Sequence, residues 1–103
     1  MVDHITAALR EAADALARLR ENEETLSNIE LAAETLLQAF ASGNRVFSCG
    51  NGGSMSDAMH FAEELSGRYR MNRKALPATA ISDVGHISCV ANDFGYEYIF
   101  SRY

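Results

Sequence analysis

The stretch Cys49-Gly-Asn-Gly-Gly-Ser-Met-Ser-Asp-Ala-Met-His-Phe-Ala-Glu-Glu64 constrains the fold of this chain more than any other. It follows a short apolar run, Arg45-Val-Phe-Ser-Cys49, and leads into an amphipathic pattern, so three glycines and a serine fall where a strand becomes a helix. Such a junction can be a tight turn and nothing more. It can also bind an anion: Gly50, Gly52 and Gly53 can adopt positive φ and bring backbone N–H groups to a ligand, while Ser54 can cap the helix or offer its hydroxyl. Neither better-known phosphate signature fits. A Walker A loop requires Gly-Lys-Ser/Thr, and no lysine occurs between Gly50 and Lys74; a dinucleotide fingerprint requires a glycine where Met55 stands.

His60 and Glu64, four residues apart, share one helical face, where they can act on one substrate or share a metal ion. Ser56, Asp57, His60, Glu63 and Glu64 also form a continuous polar stripe, which in isolation describes a solvated face. Position favours function, because the stripe begins one turn beyond the glycine loop, at the carboxyl end of a parallel strand. Arg68, Arg70, Arg73 and Lys74 suit a solvated loop, with one arginine reaching a phosphate as the functional exception. Asp93 fits a turn as readily as a ligand site. His4 and His86 receive no role.

The rest of the chain supports an α/β organisation. Val2, Ile5, Leu9, Ala12, Leu16 and Leu19 form a narrow apolar seam on a helix over residues 2–20, suited either to its own core or to a second subunit. A second helix, lined by Leu26, Ile29, Ala33, Leu36, Leu37 and Phe40, ends at a Gly43 cap. The two are expected to pack antiparallel. A helix over about residues 54–65 precedes a mobile loop at 67–74 and a second strand, Pro77–Ser82, completing a βαβ unit. Asp83 is expected to cap a helix over 84–91 with Val84, Ile87, Val90 and Ala91 inward. Tyr96, Ile99, Phe100 and Tyr103 recur at helical spacing and require burial. A two-stranded parallel sheet is too small to stand alone, so the chain is expected to be part of a longer fold.

Composition sets outer limits. With 103 residues, 48% of them hydrophobic and 22% charged, the chain is at most one domain and is expected to be globular. The net charge of −5 comes from residues 1–43, and the half carrying the glycine loop is balanced, which argues against nucleic acid as a partner. No apolar run approaches a bilayer span, so no membrane role and a cytoplasmic location are expected. Cys49 and Cys89 match no metal spacing and suit reduced thiols.

Taken together, Cys49-Gly-Asn-Gly-Gly-Ser54, Asp57-Ala-Met-His-Phe-Ala-Glu-Glu-Leu65, Gly67-Arg-Tyr-Arg70, Ile81-Ser-Asp83 and Ala91-Asn-Asp-Phe-Gly-Tyr96 through Phe100-Ser-Arg-Tyr103 closely resemble the phosphoheptose isomerases of the sugar isomerase (SIS) fold. The resemblance runs along essentially the whole chain but covers only the N-terminal half of that family. It implies an N-terminal helical hairpin (1–43) used in oligomerisation. Residues 44–103 would then be the first βαβ half of a flavodoxin-like, three-layer parallel-sheet domain.

The activity it implies is aldose–ketose isomerisation of sedoheptulose 7-phosphate, toward the heptose of lipopolysaccharide, by a tetramer with sites where subunits meet. Carried onto this chain, Glu64 would be the catalytic base. His60 and Glu64 would belong to a zinc-binding set, and Asn51, Gly52, Gly53, Ser54, Arg68 and Asp93 would bind substrate. Two departures stand out: Met55-Ser56 occupies positions where some relatives have histidine and cysteine, and the family's second phosphate loop and remaining acid and metal ligands lie beyond Tyr103. The 103 residues alone are therefore expected to be inactive. A catalytically silent SIS module, binding sugar phosphates or a protein, is the rival reading, and a base at Glu64 speaks against it.

Overall fold

The computed structural model describes residues 1–103 as two compact units, Met1–Gln38 and Ala39–Tyr103. The first holds helix α1 (Val2–Glu21) and most of α2 (Glu23–Ala41). Asn22 alone separates them, in an extended conformation (φ −91°, ψ 99°). It starts α2 as a cap: its carbonyl accepts from Leu26 N–H, and its Oδ1 accepts from Thr25 N–H at 2.9 Å. Asp3 in the first turn of α1 and Arg18 and Arg20 in its last oppose the helix dipole.

The expected antiparallel packing of this hairpin is not made. The two helices do not pack along each other, and neither buries a single residue. An antiparallel helix pair uses a loop of about two to five residues, and one extended residue cannot reverse the chain. What forms instead is an open apolar crook of about 420 Å³ beside the joint, lined by Ala13, Leu16, Ala17 and Leu19 of α1 and by Leu26 and Ile29 of α2. Leu9 and Leu16 remain 67% exposed, so the seam meets no core of its own.

The second unit begins where α2 ends. Gly43 (φ 75°) donates to Phe40 O and Asn44 to Ala39 O, the paired bonds of a Schellman motif, so the glycine cap is as expected. Strands β1 (Val46–Ser48) and β2 (Ala78–Ala80) pair in parallel, Val46 opposite Ala78 and Ser48 opposite Ala80. Helix α3 (Gly53–Ser66) connects them and packs on both. Its contact face is Ala58 and Ala62, one turn apart and buried, small enough to bring the helix axis close to the sheet. Ser48 Oγ donates to Ala58 O at 2.7 Å, tying strand to helix.

Helix α4 (Val84–Asp93) starts as expected: Asp83 Oδ1 accepts from His86 N–H at 2.6 Å. Val90 is buried, and Ile87 and Ala91 are half-buried. Val84, expected inward, is 82% exposed, because a two-stranded sheet leaves nothing over the first turn. The chain closes in a 3₁₀ turn (Tyr96–Tyr98) rather than an α-helix, since Gly95 breaks the pattern at φ 125°. Of the aromatic tail expected to be buried, Phe100 is half-buried, while Tyr96 and Tyr103 stay exposed. Ile99 carries the burial at 1% exposure and is the most buried side chain in the molecule. Around it, His86 Nε2 donates to Ile99 O at 2.9 Å, and the Tyr103 ring stands edge-on to His86 (5.1 Å) and Phe47 (6.1 Å).

Candidate functional site

The glycine loop turns the end of β1 into α3 with two distinct glycine requirements. At Gly50 a Cβ would lie 2.7 Å from the backbone of Ser54, so only glycine permits the first turn of the helix to fold over the loop. Gly52, the N-cap, sits at φ 56°. Gly53 adopts ordinary helical geometry and Gly50 also has no positive φ, so of the three glycines expected to exploit positive φ only Gly52 does so. Ser54 does not cap α3; it lies inside the first turn, its N–H donates to Asn51 O, and its hydroxyl bonds to nothing in the chain. The N–H groups of Asn51, Gly52 and Gly53 are likewise unused within the chain. Three backbone donors and a free hydroxyl at the positive end of a 14-residue helix make a donor-rich cradle suited to an oxyanion.

Two turns along α3, His60 Nε2 and Glu64 Oε1 are 2.9 Å apart. A carboxylate only accepts, so Nε2 carries the proton and donates. The side chains differ in access: His60 is 71% exposed and Glu64 33%. They line a cleft of about 330 Å³ with Asp57, Phe61 and Tyr69. His60, Glu63 and Glu64 also place one donor atom each within 4.8 Å of one another. Glu63, Asp57 and Tyr69 were not singled out from the sequence as site residues. Asp57 and Glu63 were legible there only as members of the polar stripe, and Tyr69 only as part of Gly67-Arg-Tyr-Arg70.

Two expected substrate residues are occupied elsewhere. Arg68 donates to Asn72 Oδ1 at 2.8 Å, within its own loop. Asp93, at the end of α4, accepts from Asn92 Nδ2 (3.0 Å) and from the Cys89 thiol (3.4 Å). Those two hydrogen bonds, Asn92 first, hold the Asp93 carboxyl below the usual carboxylate range. The same carboxylate, by hydrogen bond and then by charge, pushes the Cys89 thiol up, which favours its protonated form. Neither Arg68 nor Asp93 is bonded to the glycine loop or to the His60–Glu64 pair.

Arg73 has a structural task. Its guanidinium donates to Glu64 O (2.7 Å), Leu65 O (2.9 Å), Gly67 O (3.3 Å) and Lys74 O (3.1 Å), capping the carboxyl end of α3 with a positive charge. The segment expected to be a mobile loop is thereby fastened to the helix that carries Glu64.

The chain from residue 8 to residue 103 matches the family model described as the SIS domain. It belongs to the SIS-domain family. A phosphoheptose isomerase of Yersinia enterocolitica is 60% identical over 101 residues, covering 98% of this chain and 52% of the relative. One from Haemophilus ducreyi is 59% identical over 102 residues, covering 99% and 53%. Among solved structures, a phosphoheptose isomerase from Francisella tularensis superposes with a TM-score of 0.90 at 30% identity, and one from Neisseria gonorrhoeae with 0.74 at 30%. Each structural match covers almost all of this chain (98% and 99%) and 52% of the other. This SIS chain therefore spans about half the length of the relatives it matches, and the resemblance to phosphoheptose isomerases holds over that half. No helix is long and apolar enough to cross a membrane.

Proposed function

We propose that these residues form the N-terminal half of a phosphoheptose isomerase that interconverts sedoheptulose 7-phosphate and its heptose aldose, supplying the heptose of lipopolysaccharide in the cytoplasm. The observation that carries the reading is the His60–Glu64 pair on the helix whose N-terminus is the glycine cradle, in a chain 60% identical to such an isomerase. In the forward direction the Glu64 carboxylate takes a proton from C1 of the ketose. The carbonyl at C2 and the hydroxyl at C1 become a cis-enediol, and the same carboxylate returns the proton to C2. The O1 proton leaves as the O2 proton is gained, so no oxidant is consumed. His60, donating to Oε1, orients the carboxylate. Asn51, the Gly52 and Gly53 N–H groups and Ser54 hold substrate oxygens, with Arg68 and Asp93 recruited by rearranging their present local bonds. A silent SIS binding module would gain nothing from a hydrogen-bonded carboxylate in the cleft.

Zinc fits the donor set in part. One imidazole and two carboxylates within 4.8 Å suit its preference for nitrogen and oxygen ligands, with His60 and Glu64 as the principal holders once ligation replaces their mutual hydrogen bond, and Glu63 adjacent. When bound, the ion would polarise a substrate oxygen. The exposed apolar seam of α1 supports assembly into a homotetramer.

Glu64→Gln in the intact protein preserves shape but cannot accept a proton. Its kcat is expected to fall by about 10²–10⁴, with sedoheptulose 7-phosphate binding nearly unchanged. Lost binding with retained chemistry would reassign Glu64 to recognition. The 103-residue chain alone is expected to show negligible turnover in the same assay, because it supplies one cradle and one base.

A further inference from the structure

The side-chain hydrogen bond that spans the greatest length of sequence in this protein joins Tyr96 to the glycine loop. The Tyr96 hydroxyl donates to Asn51 Oδ1 at 2.5 Å, across 45 residues. Tyr96 is 57% exposed, so burial does not explain its position. The backbone that carries it is held independently. Gly95 at φ 125° sets the turn, Ile99 anchors it in the core, His86 Nε2 ties down the Ile99 carbonyl, and the Arg102 guanidinium lies 3.7 Å from the Phe94 ring centroid. The terminal turn thus brings a phenol to Asn51 by contacts that do not involve the loop.

We propose that Tyr96 is a positioning residue that fixes the polarity of the glycine loop. An asparagine amide has one acceptor end and one donor end, and a phenol is a better donor than acceptor. By donating to Oδ1, Tyr96 engages the amide's acceptor end, so that what Asn51 has left to offer a ligand is its Nδ2 hydrogens, donors like the free N–H groups of Asn51, Gly52 and Gly53. Every group then offered by the loop donates, which matches a ligand made of phosphoryl and hydroxyl oxygens. With Tyr96 absent, the amide can turn its oxygen into the cradle, where it repels an oxyanion. This inference rests on the sugar-phosphate reading of the cradle and adds to it the residue that sets its donor polarity.

The test is Tyr96→Phe in the intact protein, which keeps the ring and removes only the hydroxyl, alone and in an Asn51→Ala background. Loss of one ordering hydrogen bond is expected to raise KM for sedoheptulose 7-phosphate by about three- to tenfold while kcat changes less than about twofold. In the Asn51→Ala background the same change is expected to have no further effect, because Tyr96 acts only through Asn51. A merely structural Tyr96 gives additive losses, and that result, or an unchanged KM, overturns the proposal. A readout independent of turnover separates this proposal from the isomerase reading: the Asn51 side-chain amide resonances. They are expected to shift and broaden in Tyr96→Phe as the amide gains freedom to turn. If the unmodified protein fails to isomerise the sugar, the function is wrong but the amide signal still decides: unchanged resonances refute the positioning role.

Discussion

Met1–Gln38 and Ala39–Tyr103 are stabilised by different kinds of interaction. In the first unit the side-chain hydrogen bonds are local, Asn22 to Thr25 and Thr35 to Leu31, and the apolar seam is exposed. Its helices exist through their backbone ladders, propensity and capping. In the second, each strand has three residues and the buried set is five side chains, yet long-range bonds cross it: Ser48 to Ala58, Tyr96 to Asn51, His86 to Ile99, and Arg73 to the end of α3. Regular periodicity therefore accompanies the unit without a core, and irregular sequence accompanies the one that has it. A strong amphipathic pattern reports that a face needs a partner, without naming the partner.

The largest contrast comes from apolar substitutions. Ile99→Ala removes the most buried side chain and is expected to destabilise the second unit by about 2–4 kcal/mol. Leu9→Lys with Leu16→Lys changes two exposed positions and is expected to alter unfolding free energy by less than about 0.5 kcal/mol per site. The lysines are nevertheless expected to abolish any discrete oligomer in light scattering, if the seam serves assembly. A large stability loss from the lysine pair in a monomeric sample would show that the first unit has a core of its own.

Gly50→Ala and Gly53→Ala sharpen the contrast within one loop. At Gly50 the added Cβ meets the Ser54 backbone at 2.7 Å, and a cost of about 1–3 kcal/mol is expected in chemical denaturation. Gly53 faces open space in ordinary helical geometry, so its alanine variant is expected to be neutral or slightly stabilising. Equal costs at both positions would mean that the loop, not the close approach, is intolerant.

Much of the fold was legible because its signals are local. Gly43-Asn44 announced the end of α2, Asp83 the start of α4, and the Gly-rich turn the strand-to-helix junction. The other end of α3 came within one residue of the expected Leu65, at Ser66, but the group that caps it was illegible for a physical reason. Gly67 looks like a helix terminator, but its φ of −84° is not the left-handed cap conformation, and the stopping group is Arg73. A cap supplied from beyond the helix leaves no periodic or turn signal. The hairpin expectation failed similarly, because two amphipathic seams imply mutual packing only when the link is long enough to reverse. Of the site, the loop and the His60–Glu64 pair were readable from spacing. The Tyr96–Asn51 and His86–Ile99 bonds depend on tertiary proximity that spacing does not encode. Arg73→Ala is expected to lower stability by about 1 kcal/mol, with the 67–74 segment exchanging amide hydrogens faster than the strands. Unchanged exchange there would remove the capping role.

The smallest expected effect concerns Cys89 and Asp93, a local pair inside the second unit. The Asn92 amide and then the Cys89 thiol donate to the carboxylate, which lowers the Asp93 pKa, and the ionised carboxylate in turn raises that of the thiol. The signs give opposite pH limits. A depressed carboxyl pKa contributes stability above the carboxyl's unfolded value, near 3.8, and the contribution is lost as pH falls through the folded value. A raised thiol pKa contributes below the thiol's unfolded value, near 9.0, and its contribution is lost as pH rises through the folded value. Both groups are solvent-exposed, so stability itself is a poor probe and thiol reactivity a sensitive one. Asp93→Asn removes the negative charge and the carboxylate acceptor, lowering the Cys89 pKa toward its ordinary value and enlarging the thiolate fraction at mildly alkaline pH. Alkylation of Cys89 by iodoacetamide is therefore expected to accelerate at mildly alkaline pH, because the thiolate is the reactive form. Cys49 provides the internal control, because it lies outside the pair. Acceleration at both cysteines would point to general loosening of the second unit, whereas acceleration at Cys89 alone would show that this bond is as local in solution as those of the helical unit.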